Sequence, residues 1–278
     1  MSENYSVLMS VYFKEQPVFL NMAIQSMVDQ TIKPDQFIIV KDGPLTSELD
    51  QVISGYDSKY PGLFTIIANK TNLGLGPALR KGVLESRNEL IARMDSDDFC
   101  VNDRVEKQLK VLRNHPEIGM VGSFEAEFIN DISNVVAIHR VPENNWAIKQ
   151  FMRRRCAVLH PTVMFKKSAV LAAGNYQETS VYAVYEDYDL FARMIFDANI
   201  QCFNIQECLY FIRTSEDFYE RRGGFKYSKT VLRFKWHLFR KNNMSFVDFC
   251  ISGIGQAAVC LLPNKLRKMF YLTFLRGE

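Results

Sequence analysis

Apolar residues follow two periods along the first hundred positions of this chain. Residues 6–12 (SVLMSVY), 37–40 (FIIV), 63–68 and 90–94 form short, near-continuous apolar runs. Runs of this kind suit strands buried on both faces of a parallel sheet. Between them, residues 16–30 place Leu20, Ile24, Met27 and Val28 at helical spacing, and residues 45–56 and 76–86 carry further helical patterns. Strand and helix alternate at intervals of roughly 25–30 residues, which predicts βαβ units. In such sheets ligands bind beyond the carboxyl ends of the strands. Ser10, Asp42 and Asp95 fall at or just past those ends.

Beyond residue 100 the pattern loosens. Asp103-x-x-Glu106 has the form of a capping box opening a helix with Val105, Leu109 and Leu112 on one face. Residues 118–140 give short strand-like segments, 144–155 a basic helix and 162–165 another strand. Gly174-Asn175 marks a turn, and 186–197 (EDYDLFARMIFD) reads as a helix with a favourably acidic first turn. Residues 213–224 read as a polar loop, followed by helices over 227–240 and 246–262.

Size and charge add boundaries. A chain of 278 residues, 47% apolar with 21 Phe and 12 Tyr, supports one large domain, or one with an appendage. The six cysteines contain no CxxC pair and, with no signal peptide, read as buried free thiols of a reducing cytosol. The net charge of +3 divides unevenly: residues 221–278 carry 12 Lys and Arg against Asp248 and Glu278. The remaining body is therefore acidic, and a basic tail on an acidic body points to an anionic surface. The longest uncharged stretch there, 249–262, is 14 residues. That falls short of the roughly 20 that span a bilayer. Two readings stay open for the tail, an interfacial membrane helix and a helical pair packed on the main domain.

The densest chemistry is Asp95-Ser96-Asp97-Asp98, three carboxylates at the end of a buried strand. Such anions repel one another unless a cation sits among them, and hard oxygens suit Mg²⁺ or Mn²⁺. Taken alone, the stretch reads as a helix cap or solvated turn more than as a site. Other motifs fail. Gly74-Leu75-Gly76 is followed by Leu79 where a dinucleotide fingerprint needs its third glycine, and GxxxxGK[ST], HExxH and GxSxG are missing. Among the histidines only His160, in Leu159-His160-Pro161-Thr162, is a candidate for the cleft.

Five segments in order resemble glycosyltransferase family 2, the inverting enzymes of the GT-A fold. They are residues 6–12 with Asp29-Gln30-Thr31; Ile39-Val40-Lys41-Asp42-Gly43; Asn72-Leu73-Gly74 with Ala78 and Gly82; Asp95-Ser96-Asp97-Asp98; and His160-Pro161-Thr162 with Gly174 and Glu186-Asp187. Within the family the tone is of bacterial capsule and exopolysaccharide transferases. Lys41, Pro44 and Arg80 depart from the family pattern. The resemblance implies an α/β GT-A domain over 1–215, its mostly parallel sheet flanked by helices. A nucleotide-binding half would cover about 1–100 and an acceptor half about 101–215, with a helical tail over 216–278. It implies Ser10, Asp42, Arg80 and Asp95 on the nucleotide, and Mn²⁺ or Mg²⁺ on Asp97 with Asp95. Asp187, with Glu186 as alternative, would be the catalytic base. His160, Arg221 and Arg222 would face acceptor or diphosphate. The expected partners are a nucleotide-sugar, a UDP-sugar by the match at Asp42, and a glycan or polyprenyl-linked acceptor. The expected place is the bacterial cytoplasm, at or near the inner face of the membrane.

Competing classes lack their own signatures. A sugar-nucleotide pyrophosphorylase needs a glycine-rich basic loop after the first strand, where this chain has Tyr12-Phe13-Lys14-Glu15-Gln16. A DxD phosphatase carries its motif after the first strand, not the fourth. A non-catalytic carbohydrate- or nucleic-acid-binding protein would use the basic tail, but no nucleic-acid module is present there and the acidic body argues against a broad footprint.

Overall fold

The computed structural model describes residues 4–178, 182, 185–214 and 223–270. Among them, nine strands form one sheet: β1 (Tyr5–Val11), β2 (Gln36–Lys41), β3 (Phe64–Ala68), β4 (Leu90–Met94), β5 (Phe99–Cys100), β6 (Ile118–Phe128), β7 (Val135–His139), β8 (Met164–Lys166) and β9 (Gln201–Arg213). The order is β3-β2-β1-β4-β8-β6-β9-β5, with β7 beside β6. Strands β1 to β4, β6 and β9 share one direction, while β5, β7 and β8 oppose it. The expected mostly parallel α/β sheet is thus present, opened in its middle by the reversed β8.

The period of two along the strands sorts side chains to opposite faces. Tyr5, Val7, Met9, Phe37, Ile39, Ala92 and Met94 enter one core cluster with α1 (Pro17–Val28), α2 (Ser47–Lys59) and α4 (Arg104–Asn114). Leu8, Ile38, Val40 and Ile91 enter the other, against α3 (Leu75–Glu85). Helix α3 lies unusually close to the sheet: a Cβ on Gly82 would fall 2.1 Å from Leu8 Cδ1 and 3.3 Å from Val40 Cγ2. Next along the chain come α5 (Asn145–Phe151), α6 (Lys167–Ala172) and α7 (Glu186–Ala192), the last running into a π-helical turn, Arg193–Asp197. Helix α8 (Phe225–Arg240) buries Val231, Phe234 and Leu238 in the cluster that holds α7. Helices α9 (Phe246–Phe249), α10 (Gln256–Leu261) and α11 (Asn264–Phe270) follow, with a π-helical segment, Cys250–Gly255, joining α9 to α10. No helix of the described residues is long and apolar enough to cross a membrane. The six cysteines are free thiols.

Several expectations need correction. Asp103 precedes α4, but its side chain makes no cap bond. It pairs instead with Lys107 at 2.8 Å, while Glu106 accepts from Thr31 Oγ1 at 2.8 Å. Ion pairing across the first turn outcompetes the reciprocal cap. Residues 118–128 form one long strand, not two segments. The helix expected over 144–155 stops at Phe151, and the segment 160–162 is a 3₁₀ turn before β8. Strand β9 escapes a pattern reading because polar Asn204, Gln206 and Glu207 break its apolar alternation. The structure compensates the amide nitrogen of Asn204 internally: Nδ2 donates to the carbonyls of Pro142 at 2.7 Å and Ala157 at 2.9 Å, while Oδ1 has no hydrogen-bond partner among the described residues. Arg213, expected in a loop, ends this strand.

Candidate active site

The carboxyl ends of β1, β2 and β4 open into a cleft of about 1270 Å³. Ser10, Asp42, Asp95 and Asp97 all line it, as the strand-end rule predicts. Tyr12, Glu15, Asn72, Gly74 and Arg213 complete much of its wall.

Asp42 is buried, and its carboxylate organises the loop before α3. It accepts from Asn69 Nδ2 at 3.0 Å, from the Leu73 amide at 2.9 Å and from the Gly74 amide at 2.8 Å. The next residue has to be glycine on two counts. Gly43 sits at φ +94°, and a Cβ there would lie 2.8 Å from the Asn72 backbone nitrogen. Lys41, the departure from the family pattern, turns away to pair with Asp50 at 2.6 Å.

The three aspartates separate into three roles. Both terminal nitrogens of the buried Arg93 guanidinium grip both oxygens of Asp95. Charge-assisted pairs of this bidentate form are strong and directional. Asp98 is buried; its carboxyl takes a hydrogen bond from the Arg213 amide at 2.8 Å and another from the Tyr210 hydroxyl. Burial, then Asp97 and Asp95, pushes its pKa well above the usual carboxylate range. The Tyr210 hydroxyl also accepts from the Asp95 amide at 3.1 Å. Asp97 is the carboxyl left facing the cleft. Burial first, then repulsion from Asp95 and Glu15, raises its pKa from 3.8 to about 7. Glu15 in turn accepts from Ser96 Oγ at 2.5 Å and from the Gln16 amide at 2.7 Å.

This donor set fits a small divalent cation. Among the described residues no three ligating side chains are grouped to hold an ion. Mg²⁺ and Mn²⁺, however, are commonly held by one or two carboxylates, with waters and substrate phosphates filling the rest. Asp97 has hard oxygens and crowded negative charge, the condition a cation relieves. Asp95, with each oxygen engaged by Arg93, is placed to orient more than to ligate.

Other expected site residues lie elsewhere. Arg80 donates to the carbonyls of Gly174 at 3.2 Å and Tyr176 at 2.9 Å, and pairs with Glu178 at 3.1 Å. It fastens α3 to the 174–178 turn and is not in the cleft lining. His160 is buried, with Nε2 2.8 Å from the Tyr176 hydroxyl and its ring edge-on to Phe191. Burial, then Arg93, holds its pKa well below the usual histidine value. Glu186 packs near the start of α3, where a Cβ on Gly76 would stand 3.4 Å from Glu186 Cβ. Asp187 Oδ1 accepts from the Tyr188 amide at 2.7 Å. Arg221 and Arg222 lie outside the described residues.

Two cationic residues line the cleft, Lys14 and Arg213, and Arg213 is the one tied to the aspartate turn. The Arg213 guanidinium lies over the rings of Phe19 (3.8 Å) and Phe128 (4.6 Å) and donates through Nε to the Asp97 carbonyl at 3.1 Å. Arg213 and Glu15 were not singled out from sequence. Glu15 carried a signal, since it follows the end of β1. Arg93 carried one too: an arginine inside a buried run needs an anion nearby, and Asp95 is two residues on.

Comparisons with known proteins bear on the family and the fold. Residues 6–171 match the model of "Glycosyl transferase family 2". The chain is 34% identical, over 98% of its length and 96% of the relative's, to the UDP-Gal:alpha-D-GlcNAc-diphosphoundecaprenol beta-1,3-galactosyltransferase of Escherichia coli. It is 31% identical, over 96% and 97%, to the amylovoran biosynthesis glycosyltransferase AmsE of Erwinia amylovora. The mannosyltransferase PcManGT of Pyrobaculum calidifontis, solved with GDP-Man and Mn²⁺, superposes with a TM-score of 0.61 at 12% identity, covering 99% of this chain and 76% of that one. Matched over more than half its length by the family model and end to end by bacterial relatives, this chain is a glycosyltransferase of family 2 with a GT-A fold.

Proposed function

We propose that this enzyme transfers a hexosyl group from a UDP-sugar to a polyprenyl-diphosphate-linked glycan during synthesis of a cell-surface polysaccharide such as capsule, with inversion at the anomeric carbon. The observation that carries the reading is the cleft at the ends of β1, β2 and β4, where Asp42, Asp95 and Asp97 converge. The end-to-end relative named for UDP-Gal and a diphosphoundecaprenol acceptor supports the donor and acceptor classes. A lipid-linked acceptor places the enzyme at the inner face of the cytoplasmic membrane as a peripheral protein.

In this reading Ser10 and Asp42 border the nucleoside, Asp42 mainly through the loop it holds. Asp97, beside the Arg93–Asp95 pair, would hold a divalent cation. When bound, that cation supplies charge neutralisation to the diphosphate leaving group. The acceptor hydroxyl loses its proton as it attacks, so a carboxylate must stand opposite the leaving group. Asp187 fills that role by its place in the motif. Glu186, next to Asp187 and packed near Gly76 at the start of α3, is the second candidate.

The pair is separated by Asp187→Asn and Glu186→Gln, assayed for UDP release and for Mn²⁺-dependent UDP binding by calorimetry. Asp187→Asn is expected to abolish transfer while UDP binding persists. Full activity in that variant would remove Asp187 from the mechanism, and loss in Glu186→Gln alone would assign the base to Glu186.

A further inference from the structure

Far along the tail, the helical run from Phe246 to Leu261 keeps an apolar face in solvent. Phe246, Val247, Ile251, Ile254 and Leu261 are 51–63% exposed. The opposite side, including Asp248, Phe249, Gly253 and Cys260, is buried. At 1.5 Å per residue the face is about 24 Å long. No Asp, Glu, Lys or Arg occurs from residue 249 to residue 262. At its start lies a groove of about 650 Å³, rimmed by Trp146, Arg153, Arg154 and Arg155 and closed by Ser245 and Asp248. Trp146 is 73% exposed, and the three arginines are exposed as well.

Contiguous apolar surface on a soluble domain marks a contact site, and charge selects the occupant. Residues 225–270 carry nine Lys and Arg against Asp248 alone, two of them, Lys235 and Arg267, buried. An apolar strip with a projecting tryptophan and flanking arginines has the make-up of a helix lying in the headgroup layer of an anionic bilayer. We infer that the α9–α10 face, with Trp146 and the arginines of residues 153–155, seats the enzyme on an anionic phospholipid surface. The purpose of this seat rests on the proposed lipid-linked acceptor.

The seat is mechanically joined to the acceptor side of the enzyme. Gln256 Nε2 on α10 donates to the Tyr185 hydroxyl at 3.2 Å, and the Tyr185 ring stacks on Phe234 of α8 at 4.8 Å. Tyr185 immediately precedes Glu186 and Asp187. A membrane-held α10 therefore holds these carboxylates near the lipid surface, where the glycan of a polyprenyl-linked acceptor emerges.

The test is sedimentation of the full chain with vesicles of phosphatidylglycerol and phosphatidylcholine in equal parts, without nucleotide. Wild type is expected to cosediment and to be released by high salt. Ile251→Asp with Ile254→Asp, and separately Arg153→Glu with Arg155→Glu, are each expected to lower the bound fraction roughly tenfold or more. Circular dichroism checks that both variants fold, and UDP release with a water-soluble acceptor analogue is expected to stay unchanged. Wild type remaining in the supernatant, or both variants binding like wild type, overturns the inference. So does a dimer by light scattering that Ile251→Asp with Ile254→Asp dissociates while no protein binds vesicles. If wild type binds vesicles but releases no UDP with any acceptor, the membrane seat stands and the acceptor reading fails.

Discussion

Replacing Arg93 by methionine isolates the device beneath the cleft floor. The Arg93 side chain is 2% exposed and that of Asp95 is 30% exposed. Removing one member of a fully buried pair costs roughly 3–5 kcal/mol, because the other charge is stranded. Water reaches part of Asp95, so about 2–3 kcal/mol is expected for Arg93→Met. Asp95→Asn strands the guanidinium instead, and Arg93 Nε already has no hydrogen-bond partner among the described residues. A similar loss is expected for it. The double variant removes both charges, so its loss should fall short of the sum of the singles by about 2 kcal/mol. The assay is urea unfolding of the four proteins at neutral pH in EDTA, which keeps divalent ions out of the comparison. Losses that simply add, to within about 0.5 kcal/mol, would refute the coupling. Asp95 would then be available to a metal without competition from Arg93.

Three further outcomes are expected. Asp97 has its pKa raised from 3.8 to about 7; the folded state binds the extra proton across that window, so metal-free stability falls as pH rises through it. Asp97→Asn should be more stable than wild type above pH 7, by at most about 4 kcal/mol for a rise of that size; equal stability by urea unfolding would contradict this. Lys235 lies under Tyr188, its Nζ donating to the Arg154 carbonyl at 2.7 Å and the Tyr188 hydroxyl at 3.0 Å, and burial lowers its pKa from 10.5 to about 7. The unfolded chain therefore holds more protons between those values, and wild-type stability should rise with pH there; Lys235→Met should flatten that rise, and an unchanged slope would refute it. Gly82→Ala sets a helix-propensity gain of up to about 1 kcal/mol against overpacking on Leu8 of roughly 1–3 kcal/mol. The net is a loss, and a raised urea midpoint would show that Leu8 yields freely.

The half of the fold built on parallel strands was legible because such strands write themselves as apolar runs. Residues 90–94 and 37–40 needed no tertiary knowledge to place, and the carboxylates after them followed from the strand-end rule. Strand β9 was not legible, because the side-chain nitrogen of its buried Asn204 is paired with carbonyls of Pro142 and Ala157, distant in sequence. Arg213 was hidden for the same reason: its meaning depends on Phe19, Phe128 and the Asp97 carbonyl, none of them local. The converse happened at Asp103-x-x-Glu106, where a correct local pattern was overridden by Lys107 and Thr31. For Asp42 the motif placed the residue in the cleft, while its three bonds to the 69–74 loop became visible only in three dimensions.

The bond from the Arg213 amide to Asp98, with the Tyr210 hydroxyl beside it, bears on how the protein is made. Four parallel strands are complete once Met94 has emerged during synthesis, yet the buried carboxyl of Asp98 in the turn that follows takes its hydrogen bonds from the Arg213 amide and the Tyr210 hydroxyl. Those donors arrive with β9, which also pairs Phe99 with Phe211 and Cys100 with Tyr210. A nascent chain would therefore own its sheet long before it owned a competent cleft. A fragment ending before Gln201 should fold its first strands and still fail to retain nucleotide.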